Sequence, residues 1–180
     1  MLRPAMIRAR QPRNRRSLVM PVVVALVATL LTAAACGTPP GLRPAVVYLV
    51  RHAEKQDGSD PSLTAAGHAR AEALAARLDS AGVERILSTD TKRTRETAEP
   101  LSRRTGLEIE LYDHRRLSEL ADALRRDQRT VLVVGHSNTT PAFVRLLGGD
   151  PGAPIADDEY DRLYRVDLAD GTTDIERTRP

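Results

Sequence analysis

From residue 45 onward, short β-branched runs alternate with longer stretches in which apolar residues recur every three or four positions. Ala45–Val50, "AVVYLV", is unbroken apolar sequence and predicts a buried strand. Residues 62–81, "SLTAAGHARAEALAARLDSA", place Leu74 and Leu78 four apart and meet Gly82, so a helix is expected there. Arg85–Ser88 reads as a short strand, and Lys92–Thr105 as a helix stopped by Gly106, with Pro100 a kink or early break. Glu108–Leu111 predicts another strand, and Leu117, Leu120 and Leu124 share one face of a helix over 117–126. Thr130–Val134, "TVLVV", is a strong buried strand followed by a helix over Thr140–Leu147 that ends at Gly148-Gly149. A late strand, Leu163–Leu168, is expected to be antiparallel at an edge. The order βαβαβαβα predicts the α/β class, with a mainly parallel sheet between two helical layers.

The first 35 residues differ in kind. Arg3, Arg8, Arg10, Arg13, Arg15 and Arg16 precede the apolar run Leu18–Ala35, which closes on small residues. This is the pattern of a secretory signal peptide, here over 1–35. Cys36 follows "TAAA", and the junction resembles a bacterial lipobox, with Ala33 where that pattern usually has Leu. The resemblance implies lipidation of Cys36 and attachment to a bacterial membrane. An uncleaved anchor or ordinary secretion is the alternative, and each reading exports residue 37 onward. Residues 36–44 form a Pro/Gly-rich tether, leaving 45–180 as one domain of ordinary size. Six of the 27 basic residues and none of the 24 acids lie in the leader, so the remainder carries a formal charge of −3. The basic balance of the whole chain therefore belongs to the leader, and nucleic-acid binding loses its main support. With one cysteine, no disulfide within the chain can hold the fold.

In open α/β sheets, ligands bind beyond the carboxyl ends of the strands. The first strand is followed there by Arg51-His52, the second by "TDTKRTRETA" with Arg93 and Arg95, and "TVLVV" by Gly135-His136-Ser137. Three strands thus send arginine and histidine to one edge, which points to a site that handles an anion. Arginine's planar fork suits phosphate oxygens. Two histidines among arginines suit phosphoryl transfer, one as nucleophile and one stabilising charge. Thr140 and Pro141 predict the start of a helix just after His136-Ser137.

"LVRHAEK", "LTAAGHARAEALA", "STDTKRTRETA" and "VVGHSNTTP" together resemble the histidine phosphatase superfamily, the phosphoglycerate-mutase-like group, over residues 45–168. The resemblance implies that His52 becomes phosphorylated and that Arg51 binds phosphate. It also implies that Arg93, rather than Arg95, is the second arginine, because "RTRETA" matches the family pattern with Thr97-Ala98. His136 matches the second active-site histidine, and Ser137 is expected beside the phosphate or in a turn. Glu119 of "RLSEL" stands where mutase-type members carry a general acid, yet it also suits the wet face of an amphipathic helix. Asp113 and the acids of residues 157–161 are weaker candidates.

The expected activity is metal-independent and cofactor-free hydrolysis of a phosphomonoester, on a phosphorylated small molecule or a phosphoprotein. The histidines are scattered without ligand spacing, and the arginines supply the positive charge. A phosphohistidine phosphatase is an alternative within the family. A mutase is another, although "AEKQDG" departs from the usual mutase continuation of the first motif. A non-catalytic envelope lipoprotein that binds an anionic ligand or partner is the reading outside enzymology. His68 and His114 are expected in solvent, Glu54-Lys55 as an ordinary surface pair, and Arg103-Arg104, Arg115-Arg116 and Arg125-Arg126 as solvated faces. Tyr160 or Tyr164 stands either at the rim of the site or in packing.

Overall fold

The computed structural model describes residues 45–179, so the leader, Cys36 and the tether lie outside the described residues. The domain is a six-stranded sheet between two helical layers. Its strands are β1 (Val46–Arg51), β2 (Arg85–Ser88), β3 (Ile109–Leu111), β4 (Val131–Gly135), β5 (Arg162–Asp167) and β6 (Thr173–Arg177). The helices are α1 (Ala65–Leu78), α2 (Lys92–Thr105), α3 (Leu117–Asp127) and α4 (Thr139–Leu146). The strand order is β3-β2-β4-β1-β5-β6. The four strands β3, β2, β4 and β1 run parallel, and β5 and β6 are antiparallel additions.

β1 and β4 are central and buried on both faces, which explains their continuous apolar sequence. Alternate residues divide between two cores. Val47, Leu49, Val131 and Val133 pack with Leu117, Leu124, Phe143 and Val144 of α3 and α4. Val46, Tyr48, Val50, Leu132 and Val134 pack with Leu74, Leu78, Ala98 and Leu101 of α1 and α2.

Several expectations are corrected. The first helix is shorter than 62–81, because Thr64 caps it by accepting the Gly67 N–H at 3.1 Å. Leu63 instead forms an isolated bridge with Lys55. Pro100 does not break α2, which runs on to Thr105 with Pro100 on its buried face. Packing of that face outweighs the local defect. The late strand is antiparallel as expected, but it is not an edge, since β6 covers it. Glu54 is no mere surface partner of Lys55: its carboxylate accepts from Arg70 Nε and Nη2 at 2.6 to 3.0 Å, fastening α1 to the segment after β1.

That fastening brings backbones together. A Cβ on Gly67 would stand 2.2 Å from the Glu54 carbonyl oxygen, so only glycine fits there. Gly67→Ala is therefore expected to lower stability by about 1–3 kcal/mol, the usual cost of overpacking. Urea unfolding of the variant checks this, and an unchanged midpoint would show that α1 can retreat freely.

Candidate active site

The parallel register of β1 and β4 builds the site. It pairs Val47 with Val131 and continues to Arg51 opposite Gly135. The His52 N–H then donates to the Gly135 carbonyl at 2.9 Å. The next residues, His52 and His136, therefore leave the sheet side by side, with ring centroids 5.6 Å apart and planes at 67°. Gly135 has no room for a side chain: a Cβ would lie 2.9 Å from Tyr112 Oη. Thr97 of α2 ties in the contribution that follows β2. Its Oγ1 accepts the Ala53 N–H at 3.0 Å and donates to the Arg93 carbonyl at 2.7 Å.

Hydrogen-bond partners define the ring tautomers. His52 Nδ1 lies 2.8 Å from the Ala53 carbonyl, which can only accept, so Nδ1 carries the proton and Nε2 presents a lone pair. Burial pushes the His52 pKa down to about 4, opposed by the Ala53 hydrogen bond and aided by the charges of Arg93 and Arg51. At neutral pH its ring is uncharged. His136 Nδ1 faces Arg93 Nη2 at 3.5 Å, and its Nε2 pairs with Thr89 Oγ1 at 3.0 Å. Because Arg93 only donates, Nε2 carries the His136 proton, and Thr89 passes the chain on to Thr94 Oγ1 at 3.1 Å. Burial, then Arg93, His114 and Arg51, lowers the His136 pKa to about 4 as well.

The two arginines are held by one edge and left open on another. Arg51, only 8% exposed, directs Nη1 to the carbonyls of Ala156, Asp157 and Glu159 at 2.8, 2.9 and 3.0 Å. Its guanidinium lies over the Tyr160 ring, 4.2 Å from the centroid. Arg93 Nη1 lies 3.6 Å from Asp60 Oδ1, which also accepts the first N–H of α2, from Lys92, at 2.9 Å. Among the described residues, the buried side-chain nitrogens and oxygens without a partner are Arg51 Nε and Arg93 Nε. Unsatisfied buried donors are costly, and two of them on cations beside two histidines make a cradle for an oxyanion.

Arg51, His52, Arg93 and His136 are thus brought together as the sequence predicts. Ser137 is half-buried directly after His136, before α4. Glu119 is not in this cluster: it is paired with Arg116 on the outer side of α3, with its side chain 63% exposed. It borders an open groove of about 240 Å³ with Tyr112, Asp113 and Leu120. Asp113 accepts the Arg115 N–H at 2.9 Å. Of the acids at 157–161, Asp157 and Glu159 serve the site through their carbonyls. Tyr160 is at the rim, 6.1 Å from His52 between centroids, whereas Tyr164 is fully buried packing. Sequence reading missed Thr89 and Asp60. It left His114 in solvent, where it does stand exposed, but its ring is 6.3 Å from His136. Thr89 follows directly on β2 and was open to the same strand-end argument; Asp60 carried no signal.

A family model for the histidine phosphatase superfamily (branch 1) matches residues 47–121. The fold matches that of phosphoglycerate-mutase-like histidine phosphatases, and the sequence likeness to that superfamily lies in residues 47–121. A probable phosphoglycerate mutase, GpmB, of Escherichia coli is 40% identical over 77 residues, which is 38% of this chain and 35% of the relative. The chain therefore spans about a third of the length of the curated relatives it matches. The putative phosphohistidine phosphatase SixA from Agrobacterium tumefaciens is similar in structure, with a TM-score of 0.56 at 25% identity, over 69% of this chain and 92% of that one. A phosphoserine phosphatase from Entamoeba histolytica, in complex with 3-phosphoglyceric acid, shares the fold: TM-score 0.58, 13% identity, 76% of this chain and 98% of that one.

Both site histidines are held below the unfolded value of about 6.5, so the unfolded chain takes up protons first on acidification. Their contribution to stability is complete above about pH 6.5 and is lost as pH falls towards 4. Imidazole signals followed by NMR are expected to show two midpoints near 4, of which His52→Asn removes one. Midpoints of both site histidines near 6.5 would contradict the dry, cationic environment described.

Proposed function

We propose that the chain is a phosphatase working through a phosphohistidine on His52. The observation that carries this reading is the pair of orphaned guanidinium donors, Arg51 Nε and Arg93 Nε, beside an imidazole whose Nε2 lone pair is free. Phosphate oxygens would satisfy both arginines and His136 while phosphorus faces His52 Nε2. His52 Nε2 forms the bond to phosphorus as the bond to the leaving group breaks. Water then attacks phosphorus, the P–N bond breaks, and phosphate leaves. The protein's part is positioning and charge stabilisation, as suits a loose phosphoryl-transfer transition state. With Nδ1 of His136 unprotonated at rest, anion binding favours uptake of a proton there, so the cradle gains charge as it fills.

The placement of Glu119 favours one substrate group over another. Its carboxylate is engaged by Arg116, and no carboxylate pairs with either site imidazole among the described residues. Leaving groups that depart without a carboxylic acid's help fit best: phosphoramidates such as phosphohistidine, and aryl phosphates. The similar SixA of Agrobacterium tumefaciens is a putative phosphohistidine phosphatase, which agrees with this preference. Transfer between hydroxyls, as in a mutase, fits less well. The basic leader and Cys36 support export and lipid attachment in the cell envelope, and the substrate would then be met outside the cytoplasm. A binding module that kept the fold is the competing reading.

The full-length chain is expected to hydrolyse an aryl phosphate with chelator present. His52→Ala should reduce turnover at least a thousandfold, and Glu119→Gln should change it by less than about threefold, since a lost general acid costs about 10²–10⁴-fold. Steady-state rates on folded proteins check both. Undiminished turnover in His52→Ala would rule out the phosphohistidine route, and a hundredfold loss in Glu119→Gln would restore that residue as the acid.

A further inference from the structure

The held edge of Arg51 depends on a second arginine that touches nothing in the reaction. Guanidinium has two hydrogens on Nη1, and Arg51 spends both on the three carbonyls of residues 156–159. What remains is the Nε–Nη2 fork, the geometry that grips two oxygens of a phosphate. The direction of that fork is therefore set by the 151–160 segment. This segment contains no helix or strand, so its shape needs another source.

Arg162, at the start of β5 and 7% exposed, bonds that segment at several points, and Arg177 Nη1 joins it on Glu159 Oε1 at 2.5 Å. Its Nη1 donates to the Ala153 carbonyl at 2.6 Å and to Tyr164 Oη at 2.9 Å, with Pro151 O at 3.4 Å. Its Nε and Nη2 grip both oxygens of Glu159 at 2.6 and 2.8 Å. Glu159 closes the loop, accepting the Ala156 N–H at 3.3 Å. Tyr164 Oη donates to the Pro151 carbonyl at 3.1 Å, fixing the entry to the segment. The same stretch, 156–159, thus meets Arg162 through Glu159's carboxylate and Arg51 through the carbonyls of Ala156, Asp157 and Glu159.

We propose that Arg162, with Glu159, is a positioning residue that sets the phosphate-binding fork of Arg51 by shaping the 151–160 segment. This rests on the phosphate-site reading above. Lysine at 162 keeps the charge but lacks the planar fork, so it cannot bond Glu159 twice and reach Ala153 together. Glu159→Gln halves the acceptor pattern and is the milder variant.

The test is a double-mutant cycle on the full-length chain, read by inorganic phosphate binding in calorimetry and by turnover of an aryl phosphate, with melting temperature measured alongside. Arg162→Lys and Glu159→Gln are expected to weaken phosphate binding and kcat/KM at least tenfold in folded protein. In an Arg51→Ala background the same changes should move both by less than twofold, because the group they act through is gone. Equal losses in both backgrounds would reduce Arg162 to a general support of the fold and overturn the inference. So would unaltered phosphate affinity in folded Arg162→Lys. If the wild-type chain itself neither binds phosphate nor turns over, the reading of the site falls, and the inference with it.

Discussion

The site depends on one strand register. β1 and β4 are distant in sequence, yet they run parallel and in step as far as Arg51 and Gly135, and the His52 N–H closes on the Gly135 carbonyl. A slip of one residue would send every side chain of β1 to the opposite face. Val47 and Leu49 would then exchange cores with Tyr48 and Val50, which face different helical layers. The two hydrophobic cores therefore enforce the register, and the register sets the two imidazoles beside each other. Chemistry at the sheet's edge is in this sense a consequence of packing in its middle.

Burying cations needs compensation, and the domain uses backbone carbonyls where it would elsewhere use carboxylates. Arg51 is solvated by three carbonyl dipoles and the face of Tyr160. A carboxylate there would satisfy the guanidinium and repel a phosphate; carbonyls hold one edge and leave the net charge in place. Carboxylates are placed one step back, as Glu159 on Arg162 and Glu54 on Arg70. Asp60 touches Arg93, but at 3.6 Å and from an exposed position, where attraction is screened. The site keeps its positive charge because its counter-charges are partial, distant or, for Asp60, screened by solvent.

Strand positions, the helical layers and the four central site residues were legible because each leaves a local mark: a β-branched run, a periodic leucine, or a basic residue at a strand's end. β6 left none, since "TDIER" is short, polar and largely exposed, and it forms only because β5 offers an unpaired edge. Glu119 stayed open between two readings for a related reason. A position in a motif says nothing of where a side chain on an amphipathic helix points, and Leu117, Ala121 and Leu124 turn Glu119 outward. His114 could not be placed from the polar connector around it, because its nearness to His136 arises from the meeting of β3's exit with β4's. Contacts between loops of different strands are invisible to periodicity, and the site is largely made of them.

The family match ends at residue 121, but the site does not. His136 follows β4, and the carbonyls that hold Arg51 come from residues 156–159. The matched segment carries His52 and both arginines, while later sequence supplies the second histidine and the frame for Arg51. Such a division has a thermodynamic reading. The first half can present His52, but its Arg51 would remain free to rotate, with side-chain entropy to lose on every binding event. The antiparallel addition of β5 and β6 brings a segment that orders Arg51 before any ligand arrives. Pre-organisation of that kind transfers an ordering cost from binding to folding, and here it is the less recognisable half of the chain that bears it.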